Sequence, residues 1–219
     1  MTKINRLKQL KNLIRRSPTG QVGLESEVGR WIALISSLES VKNIVEIGTW
    51  RGNGTTLCIA KGLKMRNQNN ARLLGLELVR ELSDEAAKRH ANNPHIRILW
   101  GRVVDVSTFD DADLTVEEEK WLKSDIEAAN LAPEIMAKLP SVIDLLVLDG
   151  GEFSTHAEFH ALKGRVSNWI ILDDTRLRKC KAILQEIMDG EVSDFEIVDH
   201  CDERNGTAVL RRCTSKATL

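Results

Sequence analysis

Acidic side chains stand at the ends of four short apolar runs in this sequence. They are Glu46, Glu77, Asp149 and the pair Asp173–Asp174. Short apolar runs bounded by polar residues predict buried strands. Because ligands of open parallel sheets bind outside the carboxyl ends of the strands, we expect these carboxylates to meet at one edge of a sheet. Carboxylates gathered in this way can bind the polar groups of a ligand or a cation.

The turn after the first run has the composition of a ligand-binding loop. It contains Gly48, Gly52 and Gly54, and a helix-permissive stretch follows from residue 55. Glycine permits positive φ and close approach of a ligand, and a helix N-terminus offers free N–H groups. Glu46 would repel a phosphate, and the spacing matches neither the dinucleotide fingerprint nor the phosphate loop. The turn therefore favours a nucleoside that carries a cation over a pyrophosphate.

The second apolar run ends in Glu77, which lies 25 residues beyond Gly52. A carboxylate at this position can accept hydrogen bonds from both ribose hydroxyls. Capping of the next helix is the alternative, but it does not explain why an apolar strand ends in an acid. NAD-binding folds also bind ribose through a carboxylate at this position, so Glu77 indicates a ribose but does not identify the cofactor that carries it.

The third and fourth runs indicate a metal site. Asp149 ends one run, and Asp173 and Asp174 end the next. Three carboxylates at adjacent strand ends repel one another unless they are neutralised, and no lysine or arginine stands next to them in sequence until Arg176. A hard divalent cation such as Mg²⁺ is the simplest solution. The alternative is that Asp173 or Asp174 only caps the following helix.

The segment Glu46-x-Gly48-x-x-x-Gly52 resembles the first motif of class I S-adenosylmethionine-dependent methyltransferases. Its form Glu-Ile-Gly-Thr-Trp-x-Gly is similar to that of the small O-methyltransferases of the catechol O-methyltransferase type. In metal-dependent members, a strand-four aspartate and an Asp-Asp or Asp-Asn pair after strand five hold Mg²⁺. Asp149, Asp173 and Asp174 fall on those positions. The resemblance implies S-adenosyl-L-methionine as the cofactor and the following binding residues: Glu46, Gly48, Thr49, Trp50, Gly52, Glu77, Leu78, Gly101, Val103 and Asp149.

The resemblance does not identify the general base. The family's base follows three residues after the strand-four aspartate, usually as lysine or histidine, and that position is Glu152 here. Glu152, His156 and His160 recur every four residues, so on a helix they share one face. Such a face can bind zinc, although helix histidines more often lie on a surface. We expect Glu152 or His156 to accept the proton of the methyl acceptor.

The alternation of strand and helix patterns predicts the fold. The candidate strands are Asn43–Ile47, Arg72–Leu78, Ile96–Trp100, Ile143–Leu148, Trp169–Leu172, Phe195–Val198 and Thr207–Arg211. The candidate helices are Glu25–Ser37, Thr55–Met65, Arg80–Ala91, Val116–Leu139, Ser154–Gly164 and Arg178–Met188. Such alternation predicts a parallel sheet with helices on both faces.

The last two candidate strands break this rhythm. About eight residues join them, too few for a parallel crossover, so they must form an antiparallel hairpin. Asn205-Gly206 supplies its turn chemistry. The predicted fold class is α/β: a Rossmann-like three-layer sandwich with a seven-stranded, mostly parallel sheet and an antiparallel C-terminal hairpin.

Two segments lie outside the predicted sheet. Residues 1–16 carry six basic side chains and no acid, with apolar residues at helical spacing. A basic amphipathic helix can lie on a membrane or bind an acidic partner, but capping of a site or contact with a second subunit is commoner. We therefore divide the chain into an N-terminal helical segment, 1–40, and a methyltransferase domain, 41–219. Asp105–Glu127, with nine acids and two lysines, is interpreted as a solvated helix face.

Composition narrows the class of protein. The 219 residues suit one domain with a sizeable core, and a net charge of −1 argues against a nucleic-acid binder. Four cysteines without C-x-x-C spacing indicate reduced thiols and a cytoplasmic location. We find neither a signal peptide nor an apolar run near the roughly 18 residues that a membrane span needs.

These features together predict a methyltransferase that moves a methyl group from S-adenosylmethionine to a hydroxyl of a small molecule, a sugar or a secondary metabolite, with Mg²⁺ assistance. The expected partners are that acceptor and a second copy bound through the N-terminal helices. One alternative is an NAD-dependent nucleotide-sugar oxidoreductase that uses Gly48 and Glu77. A non-catalytic S-adenosylmethionine-binding module is another.

Overall fold

The computed structural model describes residues 22–68 and 70–213. Seven strands form one sheet: β1 Asn43–Ile47, β2 Arg72–Glu77, β3 Ile96–Trp100, β4 Ile143–Leu148, β5 Val166–Asp173, β6 Phe195–Cys201 and β7 Thr207–Arg212. Six α-helices accompany them: α1 Glu27–Ser36, α2 Thr55–Lys64, α3 Arg80–Arg89, α4 Val116–Leu131, α5 Thr155–Leu162 and α6 Arg178–Met188.

The strand order is β3-β2-β1-β4-β5-β7-β6. The first five strands are parallel, and β7 runs antiparallel to both β5 and β6. This arrangement confirms the predicted mostly parallel sheet and its C-terminal hairpin. Ile47 lies opposite Leu76 and Leu148, so the carboxyl ends of β1, β2 and β4 are level. Residues that follow these strands therefore share one edge of the sheet, as predicted.

The central strands are mainly apolar because both faces of the sheet are covered. Successive side chains of a strand point to opposite faces. Ile44, Leu145 and Ile171 belong to the core with α1 and α2, whereas Val45 and Leu146 belong to the core with α5 and α6. The chain thus forms the three-layer sandwich predicted from the sequence.

The predicted helix Val116–Leu139 is too long. In the structure α4 begins with a capping box between Thr115 and Glu118 and ends at Leu131. Ala132 is extended, with ψ 134°, because the ring of Pro133 disfavours helical geometry in the residue before it. A short 3₁₀ turn, Met136–Lys138, completes the connection to β4.

The predicted basic helix at residues 1–16, with its proposed contacts to a membrane or a second subunit, lies outside the described residues. Within the described part of the proposed N-terminal segment, α1 packs on the sheet, and Trp31 is only 1% exposed. No helix in the part of the chain that the structure describes is long and apolar enough to cross a bilayer.

Candidate functional site

A cavity of about 350 Å³ opens at the carboxyl edge of β1, β2 and β4. This volume lies at the low end of the roughly 300–1,000 Å³ typical of ligand pockets. The cavity is lined by eight of the ten residues predicted to bind the cofactor: Gly48, Thr49, Trp50, Glu77, Leu78, Gly101, Val103 and Asp149. Sheet topology thus gathers into one pocket residues that lie up to about a hundred positions apart in sequence.

Gly48 allows the turn after β1 to pass close to the end of β4. Its φ is +85°, and a Cβ at this position would lie 2.1 Å from the carbonyl oxygen of Asp149. The backbone N–H groups of Gly48 and Thr49 both donate to the carbonyl oxygen of Leu76. The turn is therefore tied to β2 and β4 together, and only glycine fits at its first position.

Glu77, the acid at the end of β2, lines the cavity and accepts hydrogen bonds from the backbone of two loops. Its Oε2 accepts a hydrogen bond of 2.7 Å from the backbone N–H of Trp50, and its Oε1 accepts one of 3.0 Å from that of Val79. Each carboxylate oxygen has a further lone pair. Burial raises the pKa of Glu77, and these backbone hydrogen bonds oppose the rise. The carboxylate is thus held rigidly with acceptor capacity left for a ligand.

Glu46 was predicted to bind the cofactor, but it is not among the residues that line the cavity. It is fully buried and accepts hydrogen bonds from the hydroxyls of Thr55 and Thr56 at the start of α2. Burial raises its pKa to about 8, and the two hydroxyls act in the opposite direction. These contacts tie the end of β1 to the start of α2 and so orient the loop between them.

Gly52 also lies outside the cavity and serves packing instead. Its φ is +70°, and a Cβ here would lie 3.0–3.1 Å from the side chains of His90 and Ala86 on the α3 side. The His90 ring is 2.7 Å from the carbonyl oxygen of Gly52. Glycine at this position therefore lets the turn rest against α3.

Asp125 and Glu158 line the cavity although the sequence did not indicate them as site residues. Asp125 belongs to the acidic stretch that was interpreted as a solvated face, and Glu158 lies between two histidines on α5. Burial raises the pKa of Asp125 to about 6 and that of Glu158 to about 7. Glu158 Oε2 is buried without a hydrogen-bond partner among the described residues. The cavity wall thus offers two carboxyl groups whose pKa values lie near neutral pH.

Glu158→Gln should raise the free energy of unfolding at about pH 8 by roughly 1–3 kcal/mol and change it little near pH 4.5. Because the folded-state pKa of Glu158 exceeds its ordinary value, the native state favours the protonated form. The stability that protonated Glu158 contributes is fully present below about pH 4.5 and is lost as the pH rises through its folded-state pKa of about 7. Urea unfolding at both pH values measures the effect. Glu127→Gln, on the exposed side of α4, is the control, and equal shifts in both variants would contradict the prediction.

Asp149, Asp173 and Asp174 converge as expected from their strands. Each offers a carboxylate oxygen, and these oxygens lie within 4.8 Å of one another. Both oxygens of Asp173 and Oδ1 of Asp174 are buried without a hydrogen-bond partner in the described chain. Burial, followed by the charges of Asp149 and Asp174, raises the pKa of Asp173 to about 7. The cluster therefore holds acceptor atoms that lack a donor.

Basic side chains do stand beside these acids in the fold, although none adjoins them in sequence before Arg176. Lys179 Nζ lies 2.8 Å from Asp149 Oδ1 and 2.8 Å from Asp174 Oδ2. Arg204 lies farther off, 3.7 Å from Asp173 Oδ2. Burial alone would lower the pKa of Lys179, but the carboxylates of Asp149 and Asp174 outweigh burial and raise it. One permanent ammonium therefore bridges two of the three aspartates.

The loop after β5 is held by the turn of the C-terminal hairpin. The backbone N–H of Thr175 donates to the carbonyl oxygen of Gly206, and that of Arg176 donates to Asn205. Asp174 itself has φ +56°, which is uncommon for a residue other than glycine. The hairpin thus fixes the strained conformation that turns Asp174 toward Lys179.

Neither predicted base reaches the cavity. Glu152 Oε2 accepts a hydrogen bond from the backbone N–H of Lys179, so this acid caps the N-terminus of α6. His156 and His160 point to the other side of α5, where both contact Glu186 of α6. The predicted common face of Glu152 with the two histidines does not form because Glu152 precedes α5, which begins at Thr155.

No protein-family model matches the chain, and no curated protein sequence matches it. Solved structures do match over nearly its whole length. The O-methyltransferase TomG from Streptomyces achromogenes, involved in tomaymycin synthesis and solved with S-adenosylmethionine, is 14% identical, with a TM-score of 0.59 over 98% of this chain and 100% of its own.

Two complexes with S-adenosylhomocysteine are similar to the same degree. The O-methyltransferase from Bacillus cereus is 14% identical, with a TM-score of 0.58 over 96% of this chain and 90% of its own. The methyltransferase PaMTH1 from Podospora anserina is 13% identical, with a TM-score of 0.57 over 98% and 89%. At such identities the likeness establishes the fold, which is the Rossmann-like fold of these methyltransferases.

Proposed function

We propose that this protein is an S-adenosylmethionine-dependent O-methyltransferase that methylates a hydroxyl group of a small molecule, a sugar or a secondary metabolite. The observation that carries the proposal is the cavity in which the Gly48 turn and the Glu77 carboxylate meet the aspartate cluster. A nucleoside site and a charged site adjoin there through Asp149, which belongs to both. The three solved methyltransferases named above, each with a bound nucleoside, support the proposal.

The chain's own residues would bind and orient the two reactants. Glu77 accepts hydrogen bonds from the ribose hydroxyls, while the glycine turn admits the rest of the nucleoside close to the backbone. The sulfonium of S-adenosylmethionine activates its own methyl group, so the protein mainly needs to align the acceptor oxygen. Such positioning can contribute on the order of 7–11 kcal/mol to lowering the barrier. Apolar walls formed by Ile47, Leu76 and Val103 exclude water from this contact.

The aspartate cluster fits a hard divalent cation, and we include Mg²⁺ in the proposal. Each aspartate has an oxygen that Lys179 does not use, and three oxygens of Asp173 and Asp174 are buried with no donor in the described part of the chain. Oxygen ligands of this kind suit Mg²⁺. When bound, the metal would supply Lewis-acid activation and orientation of the acceptor hydroxyl.

Glu152 and His156 are less suited to accept the proton, because neither is among the residues that line the cavity. Lys179 is unsuited, since its two carboxylate partners stabilise the protonated form. A general base works best when its pKa lies near the working pH. Asp125 lines the cavity, is less buried than Glu158 and has a pKa raised to about 6. We therefore assign proton acceptance to Asp125.

Glu77→Ala should weaken the binding of S-adenosylhomocysteine by about 5- to 150-fold, the equivalent of losing hydrogen bonds to a charged group. In the unaltered protein, the ligand should raise the melting temperature in proportion to its affinity. Isothermal titration calorimetry measures the first effect and thermal shift the second. Glu81→Ala, an exposed acid near the start of α3, is the matched control.

The same experiment separates the alternatives. NAD⁺ should leave the melting temperature unchanged, and stabilisation by NAD⁺ alone would replace the methyltransferase proposal with the oxidoreductase. Binding of S-adenosylhomocysteine without methyl transfer to any hydroxyl compound would favour the non-catalytic module. The cytoplasmic location and the assembly through the N-terminal helices stay predictions.

A further inference from the structure

Two histidines and a glutamate form a compact cluster on the surface where α5 meets α6. His156 Nε2 lies 2.6 Å from Glu186 Oε1, and His160 Nε2 lies 2.9 Å from Glu186 Oε2. The two imidazole rings meet edge to face at a centroid distance of 4.7 Å. Three potential ligand atoms, one from each residue, thus lie within 4.8 Å of one another. The proposed methyl transfer uses none of these groups.

The local structure explains why these atoms converge. Residues i and i+4 of a helix lie one above the other, so His156 and His160 occupy neighbouring turns of α5. Buried residues of both helices, such as Phe159 and Ile183, pack in the same core and hold α5 against α6. That packing brings Glu186 opposite the histidine pair. The cluster therefore belongs to the folded helix pair and is not an accident of one mobile side chain.

We propose that His156, His160 and Glu186 form a binding site for a first-row divalent transition metal such as Zn²⁺. Two imidazole nitrogens and one carboxylate are a ligand set that zinc uses with water in the remaining position. Neutral histidine with its proton on Nδ1 offers a lone pair at Nε2. The side chains are 39%, 39% and 19% exposed, which leaves one side of the cluster open to water ligands.

The present distances are close to those that a metal requires. Ligand atoms about 2.0–2.1 Å from a tetrahedral zinc lie about 3.3 Å apart. The hydrogen-bonded pairs at 2.6 and 2.9 Å need to separate by about 0.7 and 0.4 Å, and ligand atoms that lie farther apart, within the 4.8 Å limit of the cluster, need to approach one another. Partly exposed side chains can make such a change without disturbing the core. Magnesium prefers oxygen ligands, so this site should select against the metal proposed for the aspartate cluster.

A metal here would link α5, which contributes to the cavity wall, with α6, which contributes to the aspartate cluster. α5 carries Glu158 on its cavity side, and α6 carries Lys179 at its N-terminus. Because the ligands come from both helices, binding stabilises the arrangement in which α5 and α6 are packed together. The site is independent of the proposed methyl transfer and holds whether or not the cavity binds S-adenosylmethionine.

Titration of the full chain, free of any affinity tag, with Co²⁺ in the presence of excess Mg²⁺ tests the proposal. We expect one equivalent of cobalt with visible absorption bands that Zn²⁺ abolishes, and a higher melting temperature with Zn²⁺. His160→Asn and Glu186→Gln should each weaken binding about tenfold or more. His200→Asn, on the exposed edge strand, should leave binding unchanged.

Two further variants locate the metal. Cys201→Ser tests a second cluster formed by Glu27, Cys201 and Glu203, and Asp173→Asn tests the aspartates. Both variants should retain the cobalt bands and the affinity of the original protein. The proposal is overturned if no stoichiometric binding occurs, or if His160→Asn binds as tightly as the original protein. Loss of the bands in Cys201→Ser or Asp173→Asn would likewise overturn it.

Discussion

Asp173→Asn should lower the turnover of methyl transfer by about 100-fold or more while changing the affinity for S-adenosylhomocysteine by less than about threefold. Asp173 is 1% exposed, and both of its oxygens are buried without a hydrogen-bond donor among the described residues, close to Asp149 and Asp174. It is not among the residues that line the cavity. Removing its charge should therefore affect activation of the acceptor and spare the cofactor. Initial rates and calorimetry measure the two effects separately.

The metal component of this prediction has its own test. EDTA should abolish methyl transfer, and Mg²⁺ should restore it, while binding of S-adenosylhomocysteine survives. Asp189→Asn, an exposed residue at the end of α6, should keep full activity. Undiminished turnover in EDTA would show that Lys179 and Arg204 alone neutralise the aspartates, and the Mg²⁺ proposal would then be abandoned.

Lys179→Met should lower the free energy of unfolding by about 3–5 kcal/mol in metal-free buffer near neutral pH. The Lys179 side chain is 6% exposed and forms ion pairs with Asp149 and Asp174. Methionine preserves most of the apolar packing, so the loss comes mainly from carboxylates left buried without their cation. Equilibrium unfolding in urea measures the change. Lys181→Met, an exposed lysine on the same helix, is the matched control and should have little effect.

Adding Mg²⁺ to Lys179→Met distinguishes a structural role of the lysine from competition with a metal. If the aspartates bind Mg²⁺, the variant should regain part of its stability as the metal replaces the missing charge. Its stabilisation by Mg²⁺ should exceed that of the original protein, in which the ammonium already occupies part of the cluster. A Lys179→Met protein as stable as the original in EDTA would contradict the importance of this ion triad.

The sheet could be predicted because its signals are local. Ile143–Leu148 is apolar at every position except Asp144, as a strand covered on both faces must be, and its bounds in the structure are those of the prediction. The C-terminal hairpin could be predicted because the connection between its two strands is too short for a parallel crossover. The helix Val116–Leu139 was predicted too long because its helix-forming pattern was extended past Pro133. The structure ends the helix at Leu131, just before this proline.

The side chains that point into the cavity were harder to assign. Eight of the residues predicted to bind the cofactor line one cavity because they stand at or just after the ends of strands, which the sheet aligns. Asp125 could have been noticed as an acid on the apolar side of α4, near Leu122 and Ala129, but it lay within a run of nine acids. The partners of Glu46 could not be predicted, because strand alternation alone does not show that Thr55 and Thr56 close over it.

The sequence by itself determined the order of strands and helices, the glycine turn and the edge of the sheet at which Glu77, Asp149 and Asp173 stand. These features depend on local apolar patterns and on rules that hold for every parallel sheet. Only the tertiary structure decided what meets those acids. Lys179 comes 30 residues after Asp149, on a helix whose rotation is set by packing of Cys180 and Ile183 into the core. That rotation, which no local pattern encodes, places its ammonium between two aspartates.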